Sequence, residues 1–222
     1  MTATVHHPLF ARIYARFSAA AEAAGNAAHR DELLAGVAGR VLEVGAGNGL
    51  NFSHYPDETE EVVAVEPEDY LRARAVDAAD DATVDVTVID GVAEALPAES
   101  GSFDVVVVSL VLCSVHDVAR TLTEIHRVLR PGGELRFYEH VVADNSKLAQ
   151  AQRLADRTIW PRVAGGCHSG RNTVDAIRSA GFDVRDVRRF SFKPCALALL
   201  TAPHVIGRAT RPLAASSGGE EP

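Results

Sequence analysis

Cysteine is scarce: Cys113, Cys167 and Cys195 are the only three in 222 residues. They stand far apart and form no C-x-x-C pair. That spacing gives neither a disulfide framework nor a zinc motif and suits a reducing compartment, so a cytoplasmic protein with no metal is expected. Basic residues are outnumbered, 22 Lys and Arg against 30 Asp and Glu, for a formal charge of −8. Such a balance offers no electrostatic reason to bind nucleic acid or an anionic membrane. Long apolar runs are missing as well. The longest, residues 105–115 and 195–202, have the length of a strand or short helix, not of a membrane span. Residues 1–7 lack the basic-then-apolar order of a signal peptide. The triplet Asn51-Phe52-Ser53 matches a glycosylation acceptor, but it follows a glycine turn where a helix should begin and reads as a chance match.

What is present is ordinary for a globular chain, with 47% hydrophobic and 23% charged residues. The length fits one α/β domain with a single core. Leu9, Phe10, Ile13 and Phe17 recur at helical spacing behind Pro8, and a second helix is expected over 27–37. An alternation then begins. Strands are expected at 40–44, 61–66, 83–90, 103–109 and 134–140. Helices are expected at 50–55, 69–79 and from Asp117 to Leu129, where Val118, Leu122, Ile125 and Leu129 share a face and Pro131-Gly132-Gly133 ends the run. Residues 103–109 (FDVVVVS) are unbroken apolar, as a central parallel strand buried on both faces should be. Alternating strands and helices make a parallel sheet with the carboxyl ends of its strands along one edge, where ligands bind. Further on, 146–162 and 173–180 read as helices. Strands at 183–190 and 205–210 are joined by too short a connector for a parallel crossover, so they pair antiparallel. Residues 216–222 have the composition of a disordered tail.

The strongest local signal is Val41-Leu42-Glu43-Val44-Gly45-Ala46-Gly47-Asn48-Gly49, a strand running into three alternating glycines. Without Cβ atoms a ligand can lie against the backbone, and positive φ becomes available. A dinucleotide fingerprint would need glycine at position 50, which is Leu50, and a phosphate loop would need Lys followed by Ser or Thr. A nicotinamide dehydrogenase is therefore disfavoured. Glu66, ending the second strand, can accept both ribose hydroxyls of a nucleoside.

These segments resemble the class I S-adenosylmethionine-dependent methyltransferases. The resemblance rests on VLEVGAGNG, VVAVEP, VAEALPAESGSFDVVVVS and EIHRVLRPGGEL, spanning residues 40–140. It implies a Rossmann-like seven-stranded α/β sheet, mostly parallel with an antiparallel last strand and helices on both faces. It also implies S-adenosylmethionine as cofactor and S-adenosylhomocysteine as product. By the same resemblance, Glu43, Gly45, Ala46, Gly47 and Asn48 position the methionine part, and Glu66 with Pro67 holds the ribose. Val92, Ala93 and Glu94 lie against adenine, and Ser109 and Leu110 line the donor. Many relatives carry Asp at the position of Val92, whose side chain cannot bond the adenine amino group, and Glu94 reads equally well as a structural cap.

A closer resemblance, through SLVLCSVHD, FYEHV, Trp160, GGCH-x-x-R and PHVIG, is to animal methyltransferase-like proteins that methylate small thiols. No counterpart of their N-terminal membrane helix is expected here. A small-molecule methyl acceptor follows, a thiol being favoured over an alcohol or amine, while a cofactor-binding module without turnover stays open. His140, His116 and His168 are candidate bases, since a neutral imidazole can take a proton near pH 7. Tyr14, Cys113, Trp160 and Arg171 are candidate acceptor contacts, with Leu112, Val115 and Val141 completing an apolar wall. Residues 1–38 are expected to form a helical lid carrying Phe10, Tyr14 and Phe17, residues 39–212 the catalytic domain, and 213–222 a disordered tail. The sequence specifies no oligomeric state.

Overall fold

The computed structural model describes residues 8–158, 160–194 and 196–213. Seven strands form one sheet in the order β3-β2-β1-β4-β5-β7-β6. They are β1 (Gly39–Val44), β2 (Thr59–Val65), β3 (Val86–Ile89), β4 (Phe103–Ser109), β5 (Leu129–His140), β6 (Asp183–Ser191) and β7 (Pro203–Thr210). β1 to β5 run parallel, while β7 is antiparallel to both β5 and β6. The apolar run that predicts a central strand is β4, flanked by β1 and β5. Strand order reverses between β1 and β4, and at such a switch point the chain leaves a crevice beyond the carboxyl ends.

The two-residue period of the strands sorts their side chains into two cores. Val106, Val108, Leu135 and Phe137 pack with Leu122, Ile125 and Val128 of α4 (Val118–Val128) and with Val174 and Ile177 of α7 (Thr173–Ser179). On the opposite face Val41, Val62, Ala64, Val105, Val107 and Tyr138 pack with Leu33 and Leu34 of α2 (Ala27–Leu34) and Ala75 of α3 (Asp69–Asp80). The Asp117 side chain caps α4 by accepting from the Arg120 amide.

Three local expectations change. The helix expected over 146–162 is two, α5 (Ser146–Asp156) and α6 (Trp160–Val163). Pro161 cannot continue a helix from the preceding turn. Asp156 also turns its carboxylate to the Ser169 and Gly170 amides at 3.0 and 2.9 Å. Residues 50–55 hold only a 3₁₀ turn, Phe52–His54, ahead of Pro56. Pro131-Gly132-Gly133 lies within β5 as a bulge, because the helix already stops at Val128; Leu129 pairs with Phe103, and pairing resumes at Glu134 with Val105.

The N-terminal α1 (Pro8–Ala21) runs into α2 through a π-type turn at Glu22–Asn26, kinked where Gly25 takes φ 108°. No helix of the described residues is long and apolar enough to cross a membrane. The side chain of Phe10 and the expected tail at 216–222 lie outside the described residues.

Candidate active site

The last rung of β1 and β2 pairs Val44 with Val65, so the glycine turn and Glu66 leave the sheet side by side. The Gly45 and Ala46 amides both donate to the Val65 carbonyl, at 2.8 and 3.1 Å. Glu66 is buried; its Oε2 accepts from the Gly47 amide at 2.7 Å and its Oε1 from the Glu68 amide at 2.9 Å. Burial outweighs these donors and raises the Glu66 carboxyl to about 7. Gly45 and Gly47 take φ of 70° and 59°, where a side chain is strained. A Cβ on Gly45 would come within 2.7 Å of Val111, and one on Gly47 would fill the space beneath the Tyr14 ring, 3.5 Å away. Asn48 reaches the Ser18 hydroxyl at 3.4 Å, so α1 crosses the turn through Tyr14 and Ser18.

Glu43 does not face that turn with a free carboxylate. It accepts from Asn51 at 2.8 Å and from the Tyr55 hydroxyl at 2.7 Å. Arg30 donates to Asn51 at 2.5 Å and to Glu22 at 2.9 Å, and Glu22 accepts from Asn26 at 2.8 Å, so a polar chain ties the N-terminal helices to the sheet. Burial raises Glu43 to about 7.

The ends of β4 and β5 supply the other half. Ser109 has a buried hydroxyl with no partner among the described residues. Leu110 follows at φ 61°, a left-handed conformation that costs a leucine free energy and concentrates at functional sites. The chain then wraps the carboxylate of Glu139, which accepts from the amides of Val111, Leu112 and Cys113 at 2.9, 2.9 and 3.1 Å. Sequence reasoning missed Glu139, since a carboxylate held by backbone amides leaves no pattern in the sequence. This wrapping sets Cys113 against His140, whose Nδ1 lies 3.6 Å from Cys113 Sγ and 3.5 Å from Cys167 Sγ. Burial opposes a charge on His140, but Cys167 and Glu139 outweigh it and hold its pKa above the ordinary value. A hydrogen bond from Cys113 and the nearby imidazole favour the Cys167 thiolate, while the same bond pushes Cys113 up.

The other expected residues spread further. His116 is exposed, though its amide and that of Asp117 donate to Glu94 at 3.0 and 3.3 Å, so Glu94 caps the turn before α4. His168 Nδ1 donates to the Gly166 carbonyl at 2.7 Å, so its 3.3 Å approach to Arg171 is not a hydrogen bond. Arg171 donates to the Leu112 carbonyl at 2.6 Å and pins the loop that carries Cys167. Leu112 and Val141 are taken into the core, Trp160 is half-buried, Pro67 and Val92 are half-buried, and Ala93 is buried. Burial pushes the Tyr14 phenol up and Arg30 pulls it down; Glu66 and Cys113 both push it further, so Tyr14 stands within electrostatic reach of each half of the site. A concavity of about 560 Å³ beside Arg40, Pro97 and Phe103 holds none of these residues.

These features fit a nucleoside-bearing cofactor. A carboxylate next to a glycine turn suits a ribose, a Cβ on Gly47 would meet the Tyr14 ring at 3.5 Å, and the Ser109 hydroxyl lacks a partner among the described residues. A family model described as a methyltransferase domain matches residues 42–137. The chain is similar to the mouse (Mus musculus) thiol S-methyltransferase TMT1B, with 36% identity over 184 residues, 80% of this chain and 74% of that protein. It is 32% identical to human (Homo sapiens) thiol S-methyltransferase TMT1A, with the same coverage of 80% and 74%. Its fold is similar to that of a solved SAM-dependent methyltransferase of Thermotoga maritima, with a TM-score of 0.66 at 24% identity, covering 90% of this chain and 95% of that one.

Proposed function

Since the chain belongs to the class I S-adenosylmethionine-dependent methyltransferases, in the group that holds the TMT1 thiol S-methyltransferases, we propose that it methylates the sulfur of a small, fairly apolar thiol. The observation that carries this reading is a Cys113–His140–Cys167 cluster beyond the carboxyl ends of β4 and β5, beside the β1 end that carries the glycine turn. Similarity to thiol methyltransferases over 80% of the chain supports it. The charge of −8 favours a small molecule over a nucleic acid, and two buried free cysteines suit a reducing, cytoplasmic setting.

Gly45, Ala46, Gly47 and Asn48 would present backbone to the methionine part, and Glu66, with Pro67 beside it, would accept the ribose hydroxyls. Val92 and Ala93 would flank adenine, and Ser109 and Leu110 the donor centre. When bound, S-adenosylmethionine supplies a methyl carbon already made electrophilic by its sulfonium. The chain's remaining work is to align the acceptor, exclude water and remove a proton. Alignment alone can supply up to about 7–11 kcal/mol of barrier reduction in favourable systems. Tyr14 closes the space over Gly47, and Trp160 gives the acceptor side an apolar surface. A thiol with a pKa of about 8.5 needs modest help to ionise near neutral pH, and His140 stands where that proton would leave.

The test compares an alkyl thiol with its matched alcohol and amine, following S-adenosylhomocysteine release. Thiol turnover well above the other two is expected. Methylation of the alcohol or amine and not the thiol would overturn the acceptor assignment.

A further inference from the structure

Cys113, His140 and Cys167 come from the turn after β4, the end of β5 and the loop after α6. Yet their two Sγ atoms and the imidazole nitrogen all lie within 4.8 Å of one another. The two sulfurs approach the same nitrogen, Nδ1, at 3.6 and 3.5 Å. One imidazole nitrogen offers one proton or one lone pair, so the two sulfurs can at best share a three-centre hydrogen bond there. A metal ion held by all three atoms would give each a full bond. With Zn–S near 2.3 Å and Zn–N near 2.0–2.1 Å, a tetrahedral site has an S···N edge of about 3.6 Å.

The surroundings hold the three groups rigidly. The His168 amide donates to the Cys113 carbonyl at 2.7 Å, and Arg171 to that of Leu112 at 2.6 Å, so the Cys167 loop is sewn to the Cys113 turn. Glu139 fixes that turn through three amides. The His140 ring packs on His204 at 4.6 Å, and the Ala202 carbonyl holds His204 at 2.8 Å. The buried indole N–H of Trp160 makes no hydrogen bond among the described residues. Such outer contacts orient metal ligands and tune their basicity.

We propose that Cys113, His140 and Cys167 bind one Zn²⁺ ion whose fourth position takes the acceptor sulfur. Two cysteines, one histidine and an exchangeable position form a known catalytic zinc arrangement. The inference rests on the thiol reading above and replaces His140 as proton acceptor with ionisation of the thiol on the metal. The acceptor R–SH displaces a zinc-bound water. Its S–H bond breaks with the electron pair kept on sulfur, which bonds to zinc as the thiolate, and the proton leaves with the departing water. Nothing is oxidised or reduced.

The test uses the full chain, purified under reducing conditions and supplied with zinc. Elemental analysis should find one equivalent of zinc. Cobalt substitution should give a thiolate-to-metal charge-transfer band. Addition of an alkyl thiol, with no methyl donor present, should shift that band. Cys113→Ser and Cys167→Ser should each weaken zinc binding by at least about tenfold, as loss of a ligand should exceed loss of an outer-shell contact. Retained S-adenosylhomocysteine binding by calorimetry should show that these variants still fold. No stoichiometric zinc, or unchanged zinc affinity in both variants, overturns the site. Undiminished thiol methylation by metal-free protein also overturns it and makes His140 the base, leaving the thiol reading intact. A zinc site whose cobalt band ignores thiols overturns the acceptor's place on the metal.

Discussion

Glu66 meets two opposed demands. Burial draws its carboxyl up to about 7, while a ribose diol is best held by an ionised acceptor. Binding below that pH must therefore release a proton. Affinity for S-adenosylhomocysteine should be flat above about pH 8 and weaken roughly tenfold by about pH 6, since each unit below the pKa costs a factor of ten. Calorimetry in buffers of different ionisation enthalpy would read both the affinity and the proton. Glu66→Gln should flatten the profile and cost about 1.5–3 kcal/mol, some ten- to a hundredfold in Kd. A profile unchanged from the parent would remove Glu66 from the ribose site. At Gly47 the demand is steric and conformational together. Valine there would fill the gap under Tyr14 and hold φ at 59°, a strain of about 1–2 kcal/mol. Gly47→Val should keep its circular dichroism and lose measurable cofactor binding.

Among the elements, α1 is the one poised to move. It lays Tyr14 and Ser18 on the glycine turn but leaves Ile13 and Phe17 45% and 63% exposed. The Gly25 kink separates it from the firmly packed α2. We propose it as the lid, and hydrogen exchange over residues 9–20 should slow when S-adenosylhomocysteine binds; equal exchange with and without ligand would make it static packing. By contrast α4 is locked. Ile125→Ala should destabilise by about 2–5 kcal/mol in urea melts, while exposed Thr123→Ala changes little. The same contrast explains what the sequence made legible. Strand and helix periods and connector lengths are local, so β4, α4 and the antiparallel β6–β7 pair are legible in the sequence. Glu66 could be read too, because the glycine turn fixes the register of its neighbour. The cysteine–histidine cluster could not. Its members are 27 residues apart on either side of His140, and no spacing rule joins residues that meet only through tertiary packing. Glu139 was hidden because its partners are backbone amides, which leave no mark in a sequence.

At the scale of the whole molecule, ligand and fold are linked by mass action. A cofactor present at about a hundred times its Kd adds roughly 2.7 kcal/mol. For a chain of this size that should raise Tm by about 5–10 °C. A thermal melt with S-adenosylhomocysteine should show this shift and one with NAD should not. The placement of β7 carries a further consequence, for the order in which the protein is made. Residues 203–210 are the last strand of the described residues to be synthesised, yet they fill the slot between β5 and β6. Until they leave the ribosome, β5 presents a bare edge from Glu134 to His140 and β6 has no neighbour in the sheet. The nascent chain must carry that open edge while the first five strands are free to assemble, and an unpaired edge of this kind invites aggregation. A stop codon at position 203 would leave the donor cradle's residues intact and still yield an aggregating protein.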